Sequence, residues 1–322
     1  MFTTDELAAA QALVYTGMSP TPQITWPQLG GELGAEVVVK HENAAPTGAF
    51  KVRGGITFID WLRSEHPEAR GIVTATRGNH GQSQARAATA AGLEAKIYVP
   101  EGNSVEKNAA MRAYGADLSV CGSDFDEARE EAMRVAEAGD YYPVPPFHTE
   151  LVRGVATYGF ELFTTHPDLD TVYVPIGCGS GICGTIAARD ALGLQTKIVG
   201  VVAEAAAGAQ LSVEAGALVE TNDARTFADG MAVRVPVQAA FDIYARGADR
   251  IVAVSEAEIA AAIRLYFRSI HALAEGAGAA PLAALMQERT AMAGRKVGVI
   301  LSGGNIDTDW YRTVLSGGIP TV

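Results

Sequence analysis

Short runs of β-branched and other apolar residues alternate with segments of helical periodicity along most of the chain. Runs of this kind, followed or preceded by about ten to fifteen residues of helical pattern, are typical of strands in parallel sheets. The runs cover residues 37–39, 72–74, 96–99, 118–120, 171–174, 198–202, 251–254 and 297–301. Strands joined through helices pair in parallel, and parallel sheets are covered on both faces. The sequence therefore predicts an α/β fold with parallel-rich twisted sheets covered by helices on both faces.

The length of 322 residues predicts about two domains. The segment 141–147 contains three prolines and is the best candidate for a crossing between them. We predict a small mobile domain over residues 70–147 and a large domain formed by residues 1–69 and 148–322.

Composition restricts the partners and the compartment. A net charge of −12 and a pI near 5.0 argue against nucleic acid and against a membrane surface as partners, because both require a basic footprint. The three cysteines, Cys121, Cys178 and Cys183, lack metal-type spacing and fit a reducing compartment. Because Asp5 and Glu6 stand where a signal peptide would be basic, we expect a cytoplasmic protein that acts on a small molecule.

One lysine, Lys51, stands in the glycine-rich apolar segment 46–55. A model lysine has a pKa near ~10.4, so a mostly neutral amine at pH 7 requires a shift of roughly 3–4 units, about 4–5 kcal/mol. Burial can supply this shift, and a Schiff base with an aldehyde cofactor removes the charge more directly. Lys51 is thus a candidate for carbonyl or pyridoxal chemistry, and the alternative is a surface lysine that opens a helix.

A glycine run at 177–181 closes a predicted strand and opens a predicted helix at 182–192. Converging backbone N–H groups and the positive end of the helix make this run a phosphate cradle. Residues 179–184 also fit the dinucleotide pattern G-x-G-x-x-G, with Glu204 at the end of the next strand. A nicotinamide-dependent oxidoreductase is therefore an alternative from another reaction class, and a tight turn without a ligand is a third reading.

A polar loop, residues 76–82, follows the strand at 71–75 and begins an Ala-rich helix. Thr76 and the backbone N–H groups of this loop suit a carboxylate, and Asn79 is free to bond a ring oxygen. His80 has the alternative role of a histidine that bonds its own backbone at a helix start.

Ser302, in the segment 301–305, ends the last predicted strand. Ligands meet open α/β sheets at strand ends, so Ser302 is placed to face a ring nitrogen as a neutral partner. The alternative is a glycine turn capped by a serine.

These four segments, in this order, resemble the fold-type II (tryptophan synthase β-like) family of pyridoxal 5′-phosphate enzymes, and most of all its serine/threonine dehydratases and serine racemases. The resemblance covers roughly residues 20–310 and is most specific at 49–55 together with 78–82. The segments 228–233 and 274–279 also look like dehydratase signatures.

The resemblance implies that the large domain binds pyridoxal 5′-phosphate and that Lys51 carries it as a Schiff base and later acts as the base. The other implied cofactor contacts are Phe50 with the ring, Asn79 with the ring hydroxyl, Gly177, Cys178, Gly179, Ser180 and Gly181 with the phosphate, and Ser302 with the pyridine nitrogen. The implied substrate-binding residues are Thr76, Arg77, Gly78 and His80.

The implied reaction is that of a lyase: β-elimination of water and then loss of ammonia from a β-hydroxy-α-amino acid, which gives a 2-oxo acid. Threonine or serine is the default substrate, with phenylserine and 3-hydroxyaspartate still open. A neutral serine beside the ring nitrogen does not favour a protonated pyridine, so prompt expulsion of a leaving group is favoured over transamination. An amino-acid racemase is the alternative within the family.

Two positions depart from the family pattern. Arg77 stands where the racemases carry a serine that acts as second base, and a permanently charged arginine is a poor proton acceptor. Glu204 lacks a second nearby carboxylate, so we predict no metal site. Family likeness further implies a homodimer, and we expect no regulatory C-terminal domain.

Overall fold

The computed structural model describes all residues from 1 to 322. Strands and helices alternate along the chain. The strands are β1 (Gln23–Thr25), β2 (Glu36–His41), β3 (Gly71–Ala75), β4 (Glu94–Val99), β5 (Asp117–Val120), β6 (Tyr141–Pro143), β7 (Thr171–Pro175), β8 (Lys197–Ala203), β9 (Arg250–Val254) and β10 (Lys296–Leu301). The helices are α1 (Thr4–Val14), α2 (Pro27–Leu33), α3 (Lys51–Glu65), α4 (Asn79–Ala90), α5 (Val105–Ala113), α6 (Phe125–Glu137), α7 (Thr149–Thr165), α8 (Ser180–Ala191), α9 (Gly208–Ala215), α10 (Gln238–Gly247), α11 (Glu256–Ile270), α12 (Gly276–Gln287) and α13 (Thr308–Leu315).

The strands form two sheets. The six-stranded sheet has the order β1-β2-β10-β7-β8-β9, and the four-stranded sheet has the order β5-β4-β3-β6. Every pair is parallel except β1 with β2. The predicted α/β class with parallel-rich sheets is confirmed. The four-stranded sheet is built from residues 71–143, and the division into a large and a small mobile domain stays a prediction.

Both faces of the larger sheet are buried. Val37 and Val39 on β2 belong to a core cluster of 34 buried residues. Val38, between them, belongs to a second cluster of 24 buried residues on the other face. This two-sided burial is the reason that β2 has a continuous apolar run instead of an alternating one. A third cluster of 13 buried residues, which includes Ile72 and Ile97, lies against the smaller sheet.

The chain leaves the carboxyl ends of several strands through loops that start helices. The loop after β7 leads to α8 and the loop after β3 leads to α4, whereas β10 is followed by an extended segment. Helix α3 packs against both α4 and α7, so it joins the two sheets' helical layers. None of the helices combines the length and the apolar character that a membrane-spanning segment requires.

Candidate active site

Lys51 is the first residue of α3, and the loop before it is tied to the end of β10. The Phe50 N–H donates to the Ser302 carbonyl at 3.0 Å, and Ala49 pairs with Gly303 in an isolated antiparallel bridge. The Ser83 hydroxyl donates to the Lys51 carbonyl at 2.6 Å. The backbone that carries Lys51 is therefore fixed by the segment after β10 and by α4.

The amine of Lys51 lies over an aromatic ring in surroundings that disfavour its charge. Its Nζ is 4.9 Å from the centroid of the Phe50 ring. Burial lowers the pKa of Lys51, and the nearby Cys178 and Glu275 act in the opposite direction. The Lys51 residue as a whole is only partly buried. A lowered pKa favours the neutral amine, which is the form that attacks a carbonyl and accepts a proton.

The glycine run forms the N-terminus of α8. Gly179 has a φ of 97°, a left-handed conformation that glycine adopts without strain, and the helix begins at Ser180. The predicted helix start at residue 182 is wrong by two residues, because Gly179 caps the helix and the first helical residue follows it directly. A Cβ on Gly177 would lie 2.2 Å from the Gly230 carbonyl oxygen, so only glycine fits there. The run thus presents backbone N–H groups at a positive helix end, as an anion site requires.

Two neighbours shape the glycine run. The Tyr158 hydroxyl donates to the Gly181 carbonyl at 2.8 Å, and its ring meets Phe50 edge-on at 6.0 Å between centroids. Burial raises the pKa of the Cys178 thiol. Cys178 is therefore neutral, and the run offers no competing negative charge to an anion.

The loop after β3 is organised by Thr76. The Thr76 hydroxyl accepts from the N–H of Gly78 at 3.1 Å and from that of Gly81 at 3.4 Å. Gly78 leaves space for a neighbouring lysine, since a Cβ at Gly78 would lie 2.7 Å from Cδ of Lys107. Arg77 is exposed, and its effect on the substrate stays a prediction.

His80 is neutral. Burial and the charge of Lys51 lower the pKa of His80 to about 3. Its Nε2 is buried without a hydrogen-bond partner. The alternative role of bonding its own backbone is not observed for this nitrogen.

Asn79 lies between two side chains that the sequence patterns did not assign. Its Nδ2 donates to Oε1 of Glu275 at 2.7 Å, and its Oδ1 accepts from Nδ2 of Asn305 at 2.7 Å. Both partners belong to segments with the family resemblance, 274–279 and 301–305, but no local signal showed that they meet Asn79.

Glu275 is buried and electrostatically coupled to a pair of charges. Its exposed fraction is 2 %. Burial raises the pKa of Glu275 to about 7, and the cation of Lys107 opposes this change. Lys107, on α5, forms an ion pair with Asp229. This pair joins the smaller sheet's layer to the segment 228–233.

Ser302 directly follows β10 and is 3 % exposed. Its hydroxyl carries no charge at ordinary pH. The side chain at position 302 is therefore a neutral hydrogen-bonding group.

These features fit pyridoxal phosphate. A desolvated amine, an anion site at a helix N-terminus and a neutral hydroxyl are the donors that its aldehyde, phosphate and ring nitrogen require. In addition, Nε2 of His80 and Oε2 of Glu275 are buried polar atoms without a partner. Such orphaned atoms are typical of a site that a ligand completes.

Comparisons with known proteins agree with this fit. The family model described as "Pyridoxal-phosphate dependent enzyme" matches residues 14–303. An L-threonine ammonia-lyase of Geobacter sulfurreducens is 37% identical over 289 residues, which is 89% of this chain and 72% of the relative. An L-threo-3-hydroxyaspartate ammonia-lyase of Saccharomyces cerevisiae is 32% identical over 303 residues, 93% of this chain and 92% of the relative. A solved threonine deaminase isoform 2 from Solanum lycopersicum has a TM-score of 0.90 at 29% identity and covers 98% of this chain and 94% of its own.

The chain belongs to the pyridoxal-phosphate-dependent enzymes. It is a lyase of this family, and its cofactor is pyridoxal phosphate. Of the readings of the glycine run, the phosphate cradle of this cofactor is the one that the family supports.

Proposed function

We propose that the protein is an ammonia-lyase that removes water and then ammonia from a β-hydroxy-α-amino acid. The observation that carries this proposal is the desolvated Lys51 amine over the Phe50 ring, on a backbone that the Phe50 N–H ties to the Ser302 carbonyl. Threonine or serine is the default substrate, and the relatives named as L-threonine and L-threo-3-hydroxyaspartate ammonia-lyases support this choice.

In the proposed mechanism Lys51 would hold the cofactor, and its Nζ would accept the α-proton of the substrate. Bound pyridoxal phosphate supplies the electron sink that makes this proton acidic. Lys51 suits the role of base, because burial lowers the pKa of its amine and favours the proton-accepting form. We assign the contact with the cofactor ring to Phe50, the residue before Lys51.

The remaining residues bind and orient. We assign the phosphate to Gly177, Cys178, Gly179, Ser180 and Gly181, the ring oxygen to Asn79, and the ring nitrogen to Ser302. We assign the substrate carboxylate to the loop that contains Thr76, Arg77, Gly78 and His80. In support, this loop begins α4, so its N–H groups lie at a positive helix end.

Elimination is favoured over racemisation because the site offers one clear base. A racemase requires a second proton acceptor on the opposite face of the substrate. Arg77 is a permanent cation and exposed, and the lowered pKa of His80 makes it a weak base. We therefore assign the α-proton to Lys51.

The cofactor test uses the visible absorption band of the purified protein. We expect borohydride to abolish the band and peptide mass mapping to place the reduced adduct on Lys51. Lys51→Ala should lack the band, whereas Lys197→Ala, a control at a lysine with a 55% exposed side chain, should keep it. A colourless protein that takes up a nicotinamide nucleotide would overturn the proposal.

The substrate test measures 2-oxo-acid release from threonine, serine, phenylserine and 3-hydroxyaspartate. Chiral analysis of the remaining amino acid checks for racemisation in the same samples. We expect 2-oxo-acid release to exceed racemisation. A racemisation rate above the elimination rate would favour the racemase alternative.

We further propose a cytoplasmic homodimer in which residues 70–147 move as a small domain. Three unpaired cysteines support a reducing compartment. The separate four-stranded sheet supports an independent unit. Light scattering tests the dimer, and hydrogen exchange with and without substrate tests the movement.

A further inference from the structure

The carboxamide of Asn79 has two ends of similar size and opposite polarity. A rotation by 180° would exchange its N–H donors for its carbonyl acceptor. The direction of this side chain therefore decides whether a ligand oxygen beside it meets a donor or another acceptor. The identities of its neighbours decide between the two orientations.

The first neighbour, Asn305, has its own direction set by the main chain. Nδ2 of Asn305 donates to the Thr47 carbonyl at 2.8 Å and also to Oδ1 of Asn79 at 2.7 Å. A carbonyl only accepts, so Asn305 must present its amine end on this side. Oδ1 of Asn79 is then the acceptor, and Nδ2 of Asn79 points to the opposite side.

The second neighbour, Glu275, accepts a hydrogen bond from this Nδ2. Its Oε1 accepts at 2.7 Å, and its backbone N–H donates to the Gly303 carbonyl at 3.1 Å. A Cβ at position 303 would lie 2.3 Å from this Oε1, so the glycine leaves the space that the carboxyl group fills. Glu275 is thus held in place by the end of β10.

The Asn79 amide has one hydrogen that no protein group accepts. Nδ2 of Asn79 carries two, and Glu275 uses one. At the other end of the same amide, Oδ1 of Asn79 accepts a hydrogen bond from Asn305. One N–H of Asn79 is left free, and its direction is fixed by residues 196 and 226 positions away in the chain.

We propose that Glu275 and Asn305 are positioning residues that fix the carboxamide of Asn79, so that its free N–H donates to the ring oxygen of pyridoxal phosphate. This inference rests on the proposed role of Asn79 in cofactor binding. Thr47, whose carbonyl accepts from Asn305, lies in the loop that leads to Lys51. The Asn79 donor and the Lys51 amine therefore keep a fixed relation to each other.

The test compares variants that keep or remove the required acceptor and donor. Glu275→Gln keeps a carbonyl oxygen that accepts from Asn79, whereas Glu275→Leu removes it. Asn305→Asp replaces the donor by an acceptor and removes the hydrogen bonds to the Thr47 carbonyl and to Oδ1 of Asn79. Glu288→Gln is the matched control, because Glu288 is a half-buried carboxylate that bonds Arg250 and Tyr173 outside the site.

The measurements are the dissociation constant of pyridoxal phosphate from each cofactor-free protein and the pH titration of the visible band. Loss of one hydrogen bond predicts a roughly tenfold weaker binding for Glu275→Leu and Asn305→Asp. Glu275→Gln should stay within about threefold of the wild type, and Glu288→Gln should not change binding. Thermal unfolding of the cofactor-free proteins reports whether each variant folds.

The outcomes separate this inference from the proposed function. Weak binding by Glu275→Leu and Asn305→Asp, with rescue in Glu275→Gln, supports it. Equal binding by all variants, or equal loss in Glu275→Gln and Glu275→Leu, overturns it, because charge or packing would then be responsible. If Glu275→Leu does not fold, Asn305→Asp decides by the same criterion. A wild-type protein that binds no pyridoxal phosphate overturns the proposed function itself.

Discussion

Arg53 follows Lys51 by two residues on α3, and its side chain lies at the centre of a buried group of charges. The guanidinium donates to Glu42 at 2.8 and 3.0 Å and to Glu161 at 2.6 and 3.0 Å. Lys40 completes the group by bonding Glu161. The exposed fraction of these side chains is 0% except for 5% at Glu161. Two cations and two anions balance, so the group is neutral as a whole.

Arg53→Met should strongly destabilise the cofactor-free protein. Methionine keeps much of the aliphatic stem but removes the cation, so Glu42 and Glu161 are left with Lys40 alone and the group becomes negative. Removing one partner from a buried ion pair costs about 3–5 kcal/mol. The matched control is Arg134→Met, which breaks a pair on the surface where the arginine is 70% exposed. Such a surface pair contributes about 1 kcal/mol or less.

The assay is urea unfolding of both variants and the wild type at pH 5 and at pH 8. Burial raises the pKa of a carboxyl group that lacks a cation. A pKa that is higher in the folded than in the unfolded state gives stability at low pH that is lost as the pH rises. The loss caused by Arg53→Met should therefore be larger at pH 8 than at pH 5.

Two results would refute this reasoning. The first is a loss in Arg53→Met no larger than that in Arg134→Met, which would mean that the buried carboxylates do not depend on this cation. The second is a loss that is the same at both pH values, which would mean that lost packing, and not an unpaired charge, destabilises the variant.

Three further substitutions give distinct results in the cofactor-free protein. Gly179→Ala should lower the free energy of unfolding by about 2–4 kcal/mol, because Gly179 has a φ of 97° and a Cβ there would lie 2.6 Å from a neighbouring methyl group. The control Gly193→Ala, at a φ of 65° in open space, should lower it by only about 1 kcal/mol. Equal shifts of the two variants in thermal unfolding would contradict this prediction. Lys51→Met should stabilise the protein by about 1–2 kcal/mol at pH 7, because burial lowers the pKa of Lys51. Since the pKa of Lys51 is lower in the folded than in the unfolded state, the wild type gains stability as the pH rises. In urea unfolding, the extra stability of Lys51→Met over the wild type should therefore shrink between pH 7 and about pH 10. A difference that stays constant over this range would mean that the pKa of Lys51 is not lowered in the folded protein. Lys107→Met should cost about 1–3 kcal/mol in urea unfolding, because Asp229 loses its cation, and a loss below that range would mean that this ion pair contributes little to stability.

The sequence predicted most strands, and the signal was clearest where both faces of the strand are buried. Strands such as β2 and β10 lie inside the larger sheet with both faces covered, and their apolar runs are continuous as a result. The runs did not indicate β1 and β6. Each has only three residues, too few for such a run, whereas the edge strands β5 and β9 have four and five residues and were predicted.

The site was predictable to the extent that its parts are local. The amine, the glycine run and the polar loop are each a few consecutive residues at a strand end or a helix start, so their chemistry can be read from short segments. The partners of Asn79 are not local: Glu275 and Asn305 lie 196 and 226 residues further along the chain. Their meeting depends on where the residue before α12 and the segment after β10 lie relative to the start of α4, which no pattern within one segment encodes.

The buried charges around Arg53 show a second limit of local patterns, and their arrangement has a consequence for Lys51. Taken singly, Lys40, Arg53 and Glu161 are polar interruptions of apolar segments, and only their mutual contacts explain their burial. Because apolar residues of similar volume often give equal stability, a favourable energy alone does not explain such a group. The planar guanidinium, however, donates to two carboxylates in a fixed fork geometry. Since Arg53 lies one half-turn beyond Lys51 on the same helix, we infer that this geometry fixes the start of α3 and with it the direction from which the Lys51 amine enters the site.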